Sequence, residues 1–256
     1  HRDLHSLRRR QRQMCIRDRS YNGSIFALSG GQDGSPIWSY DITEANATNG
    51  YIKSSPAVAD IDGNGVIDTV VIGICNDTGG AIIAIDASNG EFKWMAEDSA
   101  GTSYINASVI SSPAVADVDG DGSLEVVVGT SSTGNASHID RLYVIDGATG
   151  NHEWNYTTGS ITVSPAVADV DNDGEEEIVV GNSKIYVFDG AGNLEASSGT
   201  GVSSSPAIGD VDDDSKPEIV VCITPYVYVL NETLGTEWSF EFDVGTNYSP
   251  SLADVN

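Results

Sequence analysis

A nine-residue acidic loop occurs four times in this chain and begins a fifth time, and that repetition constrains the fold more than anything else in the sequence. Loop 1 is Asp60-Ile-Asp62-Gly-Asn64-Gly-Val66-Ile-Asp68. Loop 2 is Asp117-Val-Asp119-Gly-Asp121-Gly-Ser123-Leu-Glu125. Loop 3 is Asp169-Val-Asp171-Asn-Asp173-Gly-Glu175-Glu-Glu177, and loop 4 is Asp210-Val-Asp212-Asp-Asp214-Ser-Lys216-Pro-Glu218. The fifth copy starts at Asp254. Oxygen-bearing side chains fall at positions one, three, five and nine, with glycine at six in three copies. Calcium takes about six to eight oxygen ligands in flexible geometry, and a chain curling round such an ion offers alternate side chains to it. Position seven (Val66, Ser123, Glu175, Lys216) would give its backbone carbonyl, so its side chain is free to vary. Position nine closes the cage with a carboxylate. Carboxylates gathered this densely repel one another unless a cation joins them. Loop 4 is the weakest copy, because Ser215 replaces the glycine and Pro217 stiffens the exit.

An EF-hand loop also opens Asp-x-Asp-x-Asp-Gly, but it needs a glutamate at position twelve and then a helix. Position twelve here is Val71, Val128, Val180 or Val221, inside β-branched runs that favour strands. The loops therefore join strands. Ser-Pro-Ala-Val-Ala-Asp or a close variant precedes each one, with Pro56, Pro113, Pro165, Pro206 and Pro250 spaced 57, 52, 41 and 44 residues apart. Proline suits the first residue of a strand. After each valine run comes a second signature, 81–86, 141–146, 184–189 or 226–231. A turn follows, then a strand carrying Trp94, Trp154, Ala196 or Trp238. An incomplete copy, 24–28 with Trp38, stands before loop 1. Four short strands per unit of ~40–55 residues describe a β-propeller blade. The fold class is all-β, with each tryptophan read as a wedge between blades.

These motifs resemble the FG-GAP/VCBS repeat propellers, the class that includes the integrin α-chain head. The match is the D-x-D-x-[DN]-G-x-x-[DE] loop after Ala-Val-Ala-Asp, over roughly residues 21–256. Residues 143–154 also resemble the PQQ-like propeller repeat. The resemblance implies calcium at loops 1 to 4, one ion per blade loop and up to four. It also implies a secreted or cell-surface adhesion or scaffold module.

Composition narrows the partners. Net charge is −26, yet residues 1–20 hold seven of the twelve basic residues and two of the 38 acidic ones, which leaves the remainder at −31. Such a surface repels nucleic acid and anionic membranes and suits a saline or calcium-rich exterior. Residues 1–20 are arginine-rich with no apolar stretch, so they are not a signal peptide. Their composition breaks at Ser20, and they read as a non-native or disordered segment apart from the domain at 21–256. No run of ~20 apolar residues would span a membrane. Eight Asn-x-Ser/Thr triplets (Asn22, Asn46, Asn76, Asn106, Asn135, Asn155, Asn231, Asn247), mostly near expected turns, are candidate glycosylation sites in an extracellular setting. Cys15, Cys75 and Cys222 imply no disulfide framework. Four full blades with partial ones at both ends read as an arc of a longer ring whose other blades are missing.

Three functions fit. The first is a non-catalytic, calcium-stabilised extracellular module binding a protein or glycan through the opposite rim, near 76–80 and 130–140. The second is the propeller of a calcium-dependent polysaccharide lyase, a use this type of propeller serves elsewhere. His138 and Arg141 are its candidate base and cation, but residues 21–256 hold only two histidines, four lysines and one arginine. A quinone-dependent dehydrogenase would need charged central ligands that the sequence does not offer. The third is a structural spacer in a surface array.

Overall fold

The computed structural model describes residues 14–17, 23–29, 34–45, 50–76, 79–96, 105, 107–132, 139–199, 201–242 and 248–253. The expected sites at Asn22, Asn46, Asn106, Asn135, His138, Asn247 and Asp254 lie outside them.

The strands form five antiparallel sheets, or blades. Blade I holds β1 (Met14–Arg17), β2 (Ser24–Ser29) and β3 (Pro36–Asp41). Its first strand falls inside the basic segment that composition sets apart. Blade II holds β4 (Ala57–Ala59), β5 (Thr69–Asn76), β6 (Gly79–Asp86) and β7 (Phe92–Met95). Blade III runs through β8 (Ala114–Ala116), β9 (Glu125–Gly129), β10 (Arg141–Asp146) and β11 (His152–Thr157). Blade IV follows with β12 (Ala166–Ala168), β13 (Glu177–Gly181), β14 (Ile185–Phe188) and β15 (Leu194–Ser198). Blade V ends the series with β16 (Ala207–Gly209), β17 (Glu218–Ile223), β18 (Tyr226–Leu230) and β19 (Thr236–Glu241). Strands pair in chain order within each four-stranded blade, and the five sheets do not close on one another. This is the incomplete propeller that the repeats describe. The only helix among the described residues is a single 3-10 turn, Ile42–Ala45, so no described helix is long and apolar enough to cross a membrane.

The valine runs of blades II, III and IV are apolar on both sides because each of these blades is packed between two others. Side chains alternate across a strand, so Val70 and Ile72 of β5 face blade I while Val71 faces blade III. Four such layers form the core. Glycines in the second strands admit close neighbours: a Cβ on Gly129 would lie 2.2 Å from Ile161, and one on Gly181 would lie 1.9 Å from Val202.

The serines before each proline hold the inner strands. Ser54 Oγ bonds to both the carbonyl and the N–H of Gly73, and Ser111 does the same with Gly129, each within its own blade. The next serine crosses between blades. Backbone N–H groups of Ser55, Ser112, Ser164 and Ser205 donate to the hydroxyls of Ser112, Ser164, Ser205 and Ser249 at 2.9–3.0 Å.

Three of the four tryptophans are wedges; Trp238, on β19 of blade V, is instead 49% exposed. Trp38, Trp94 and Trp154 each donate the indole N–H to the next blade's turn, at Ala87, Gly147 and Gly190. Their rings lie on Gly90, Gly150 and Gly192, all with positive φ, where a Cβ would collide with the indole.

Cys75 lies inside β5, and burial pushes its thiol up to about 11. Asn155 lies within β11, where Arg141 donates to its side chain and its amide meets His152 Nε2 at 2.7 Å. Asn76 is buried, and the Asn231 side chain accepts from Thr233 and Gly235 within its turn. Those three triplets are thus occupied by structural contacts.

Candidate metal centres

Each acidic loop joins the first and second strands of a blade, so all four open at one rim. The hairpins between second and third strands, such as the one between Gly181 and Ile185, open at the other.

The loops share one internal wiring. The position-one carboxylate accepts the N–H of position six: Asp60 from Gly65, Asp117 from Gly122, Asp169 from Gly174 and Asp210 from Ser215. The position-three carboxylate accepts from position five, and position five accepts from position seven. Ser215 takes φ 73° in place of glycine, a left-handed conformation uncommon for residues with a Cβ. Loop 4 nevertheless keeps the shape.

Asp117, Asp119 and Glu125 converge, with one oxygen from each lying within 4.8 Å of the others. Asp169, Asp171 and Glu177 do the same, as do Asp210, Asp212 and Glu218. Positions one, three and nine therefore meet. Position five (Asp121, Asp173, Asp214) is outside these groups, its oxygen turned to the position-seven N–H. Loop 1 is not among the convergent sets. The sequence marks loop 4 as the weakest copy, whereas the geometry sets loop 1 apart.

The position-nine glutamates are the floor of each cage. Glu125, Glu177 and Glu218 are 1–2% exposed, and each accepts the N–H of the position-two residue, Val118, Val170 or Val211. Burial, opposed by that hydrogen bond and reinforced by nearby carboxylates, pushes Glu125 and Glu177 up to about 7 and Glu218 in the same direction.

Sequence reasoning missed a further acid beside each floor. Glu153, Glu195 and Glu237 of the outer strands add to the negative field on Glu125, Glu177 and Glu218. Glu153 is itself pushed up to about 7, by burial and then by Asp119 and Asp146. A signal was present, because all three immediately precede the tryptophan position.

These residues fit a hard divalent cation. The donors are all oxygens, as calcium prefers. One oxygen of Asp117 accepts from Gly122, and the other is buried with no hydrogen-bond partner. A buried acceptor left unsatisfied costs about 1–3 kcal/mol, a cost that a bound cation relieves.

The repeat is also visible by comparison. A family model described as FG-GAP-like repeat matches residues 60–128 and 117–180, covering loops 1, 2 and 3. Residues 60–180 carry FG-GAP-like repeats. No curated protein sequence matches the chain. Among solved structures, the chain resembles the C-terminal domain of Pseudomonas aeruginosa PilY1, with TM-score 0.64 and 14% identity over 90% of this chain and 60% of that one. The V. cholerae biofilm matrix protein Bap1 gives TM-score 0.60 and 21% identity over 90% of this chain and 35% of that one. Quinohemoprotein alcohol dehydrogenase from Comamonas testosteroni gives 0.61 and 15% over 90% and 42%. At these identities the likeness is one of fold, and the chain spans less than two thirds of each of the three.

The raised glutamates predict opposite pH responses with and without calcium. A free side chain titrates near 4.5, whereas Glu125 and Glu177 titrate near 7 in the metal-free fold. Their protonated forms therefore favour folding, fully below about pH 4.5, and that contribution is lost as pH rises through 7. Bound calcium needs the ionised forms. In chelator the melting temperature should rise as pH falls from 7.5 to 5, while in excess calcium it should fall. Parallel pH trends in the two series would contradict this assignment.

Proposed function

We propose that this chain is a non-catalytic, calcium-stabilised propeller module of a secreted or cell-surface protein, binding a protein or glycan at the rim opposite its acidic loops. The observation that carries the calcium reading is the threefold convergence of positions one, three and nine, with an unsatisfied Asp117 oxygen in one cage. A structural rather than catalytic ion suits a site that recurs in three successive blades with the same wiring. Catalysis needs one singular constellation. Of the pair considered for a lyase, His138 lies outside the described residues and Arg141 donates to Asn155. An extracellular setting is supported by the strongly acidic surface, and a biofilm matrix protein stands among the structures of similar fold.

Calorimetric titration with calcium tests the ion. Asp119→Ala should remove one equivalent and leave the other loops loaded. Complete loss of binding would contradict independent sites. Incubation with pectin-like polymers tests the class, and new unsaturated ends would overturn the non-catalytic reading. A glycan and protein array separates a binding module from a spacer, which would capture nothing.

A further inference from the structure

Loop 1 departs from its siblings at four places, and all four changes meet at one point. Position nine is Asp68 where the others have glutamate. Position five is Asn64 where the others have aspartate. The next residue is Thr69 where the others have Val126, Ile178 and Ile219. The residue before the tryptophan is Lys93 where the others have Glu153, Glu195 and Glu237. Strand register makes the last equivalence structural: Trp94, Trp154, Ala196 and Trp238 pair with Ala84, Val144, Val187 and Val229, each beside the same bulge.

Each departure supplies a donor or receives one. Lys93 Nζ lies 3.1 Å from Asp68 Oδ1 and 2.7 Å from Thr69 Oγ1. Thr69 Oγ1 donates to Asp68 Oδ1 at 3.0 Å, and Asn64 Nδ2 donates to Asp68 Oδ2 at 3.2 Å. Both oxygens of the closing carboxylate are thus satisfied from within the chain. Counting positions one, three, five and nine with the outer-strand residue, loop 1 carries a net −2 and each sibling −5.

We propose that the Lys93 ammonium is the resident cation of loop 1, so that this chain takes up divalent ions at loops 2, 3 and 4 but holds loop 1 closed without one. The proposal rests on the calcium reading of the other loops and amends the expectation of one ion per loop. An ion entering loop 1 would have to displace Lys93 from Asp68 and meet an amide where its siblings offer a third aspartate. Loop 1 is then a metal-independent clasp between β4 and β5, which keeps one blade intact when calcium falls.

The test is calcium stoichiometry on the whole chain, by native mass spectrometry and calorimetry with the metal alone. Three equivalents are expected for the wild type. Lys93→Glu, which installs the siblings' residue, should raise the count to four. Four ions of similar affinity in the wild type would overturn the inference and leave the calcium reading standing, whereas no bound ions would overturn both. Acylation of Lys93 by an amine reagent gives a readout that needs no variant. Its rate should be unchanged by calcium, and a several-fold increase on adding calcium would mean that an ion displaces the lysine and the proposal is wrong.

Discussion

Chelation should lower the melting temperature of this protein by roughly 15–30 °C relative to a calcium-saturated sample. An ion that binds only the folded state stabilises it by about 2.7 kcal/mol when its free concentration is a hundredfold above Kd. Three ions at that saturation give about 8 kcal/mol, and a domain of this size shifts by about 2–4 °C per kcal/mol. The route from ion to core is visible in the loops. Position one faces the cage, while the adjacent position-two side chain is a buried member of the layer between blades: Ile61 in one layer, Val118 in the next, Val170 in the third. The N–H of Val118 or Val170 is held by the floor glutamate of the same cage. Without a cation, the five clustered carboxylates of loop 2 and of loop 3 push those loops open and pull Val118 and Val170 from their layers. Differential scanning calorimetry in millimolar calcium and in chelator checks the shift. Superimposed transitions would remove the stabilising role assigned to the ion.

The fold was legible because its signals are local and repeated. Asp117, Asp119 and Glu125 lie within nine residues, so spacing alone brings them together. The valine runs and the tryptophan positions likewise carry their own periodicity. What was not legible arrives by register across a sheet. Lys93 meets Asp68 from 25 residues away because β7 lies two strands over from β5, and no spacing rule reports that distance. Glu153 reaches the field of Glu125 in the same manner. The serine pairs belong to the strand-start signature in sequence, yet one serine bonds within its blade and the next bonds to the neighbouring blade. The sequence pattern holds both and does not say which partner each takes.

Trp94→Ala should destabilise the protein by about 3–5 kcal/mol, the usual cost of truncating a large buried aromatic. Trp94 is 8% exposed, packs on Gly150 and donates to the Gly147 carbonyl at 2.9 Å. The chain contains its own control for this wedge. Between blades IV and V the tryptophan is replaced by Ala196, and the next turn carries Leu234 at φ 63°. The N–H of Leu234 bonds to the Asn231 carbonyl as the N–H of Gly192 bonds to that of Asp189, so the leucine stands where a glycine lies beneath Trp154. Ala196 and Leu234 both pack on the layer between these blades, and Leu234 lines a cavity of about 80 Å³ there. Bulk has moved from one blade to the other. Ala196→Trp alone should therefore cost about 1–3 kcal/mol through overpacking against Leu234. Leu234→Gly alone should cost about 2–5 kcal/mol by emptying the site. The double variant recreates a tryptophan over a glycine, as at the other three interfaces, so it should recover most of the combined loss, with a coupling of about 1–3 kcal/mol. Denaturant unfolding of the four proteins measures that coupling. Simple additivity of the two losses would mean that Leu234 does not substitute for the missing indole.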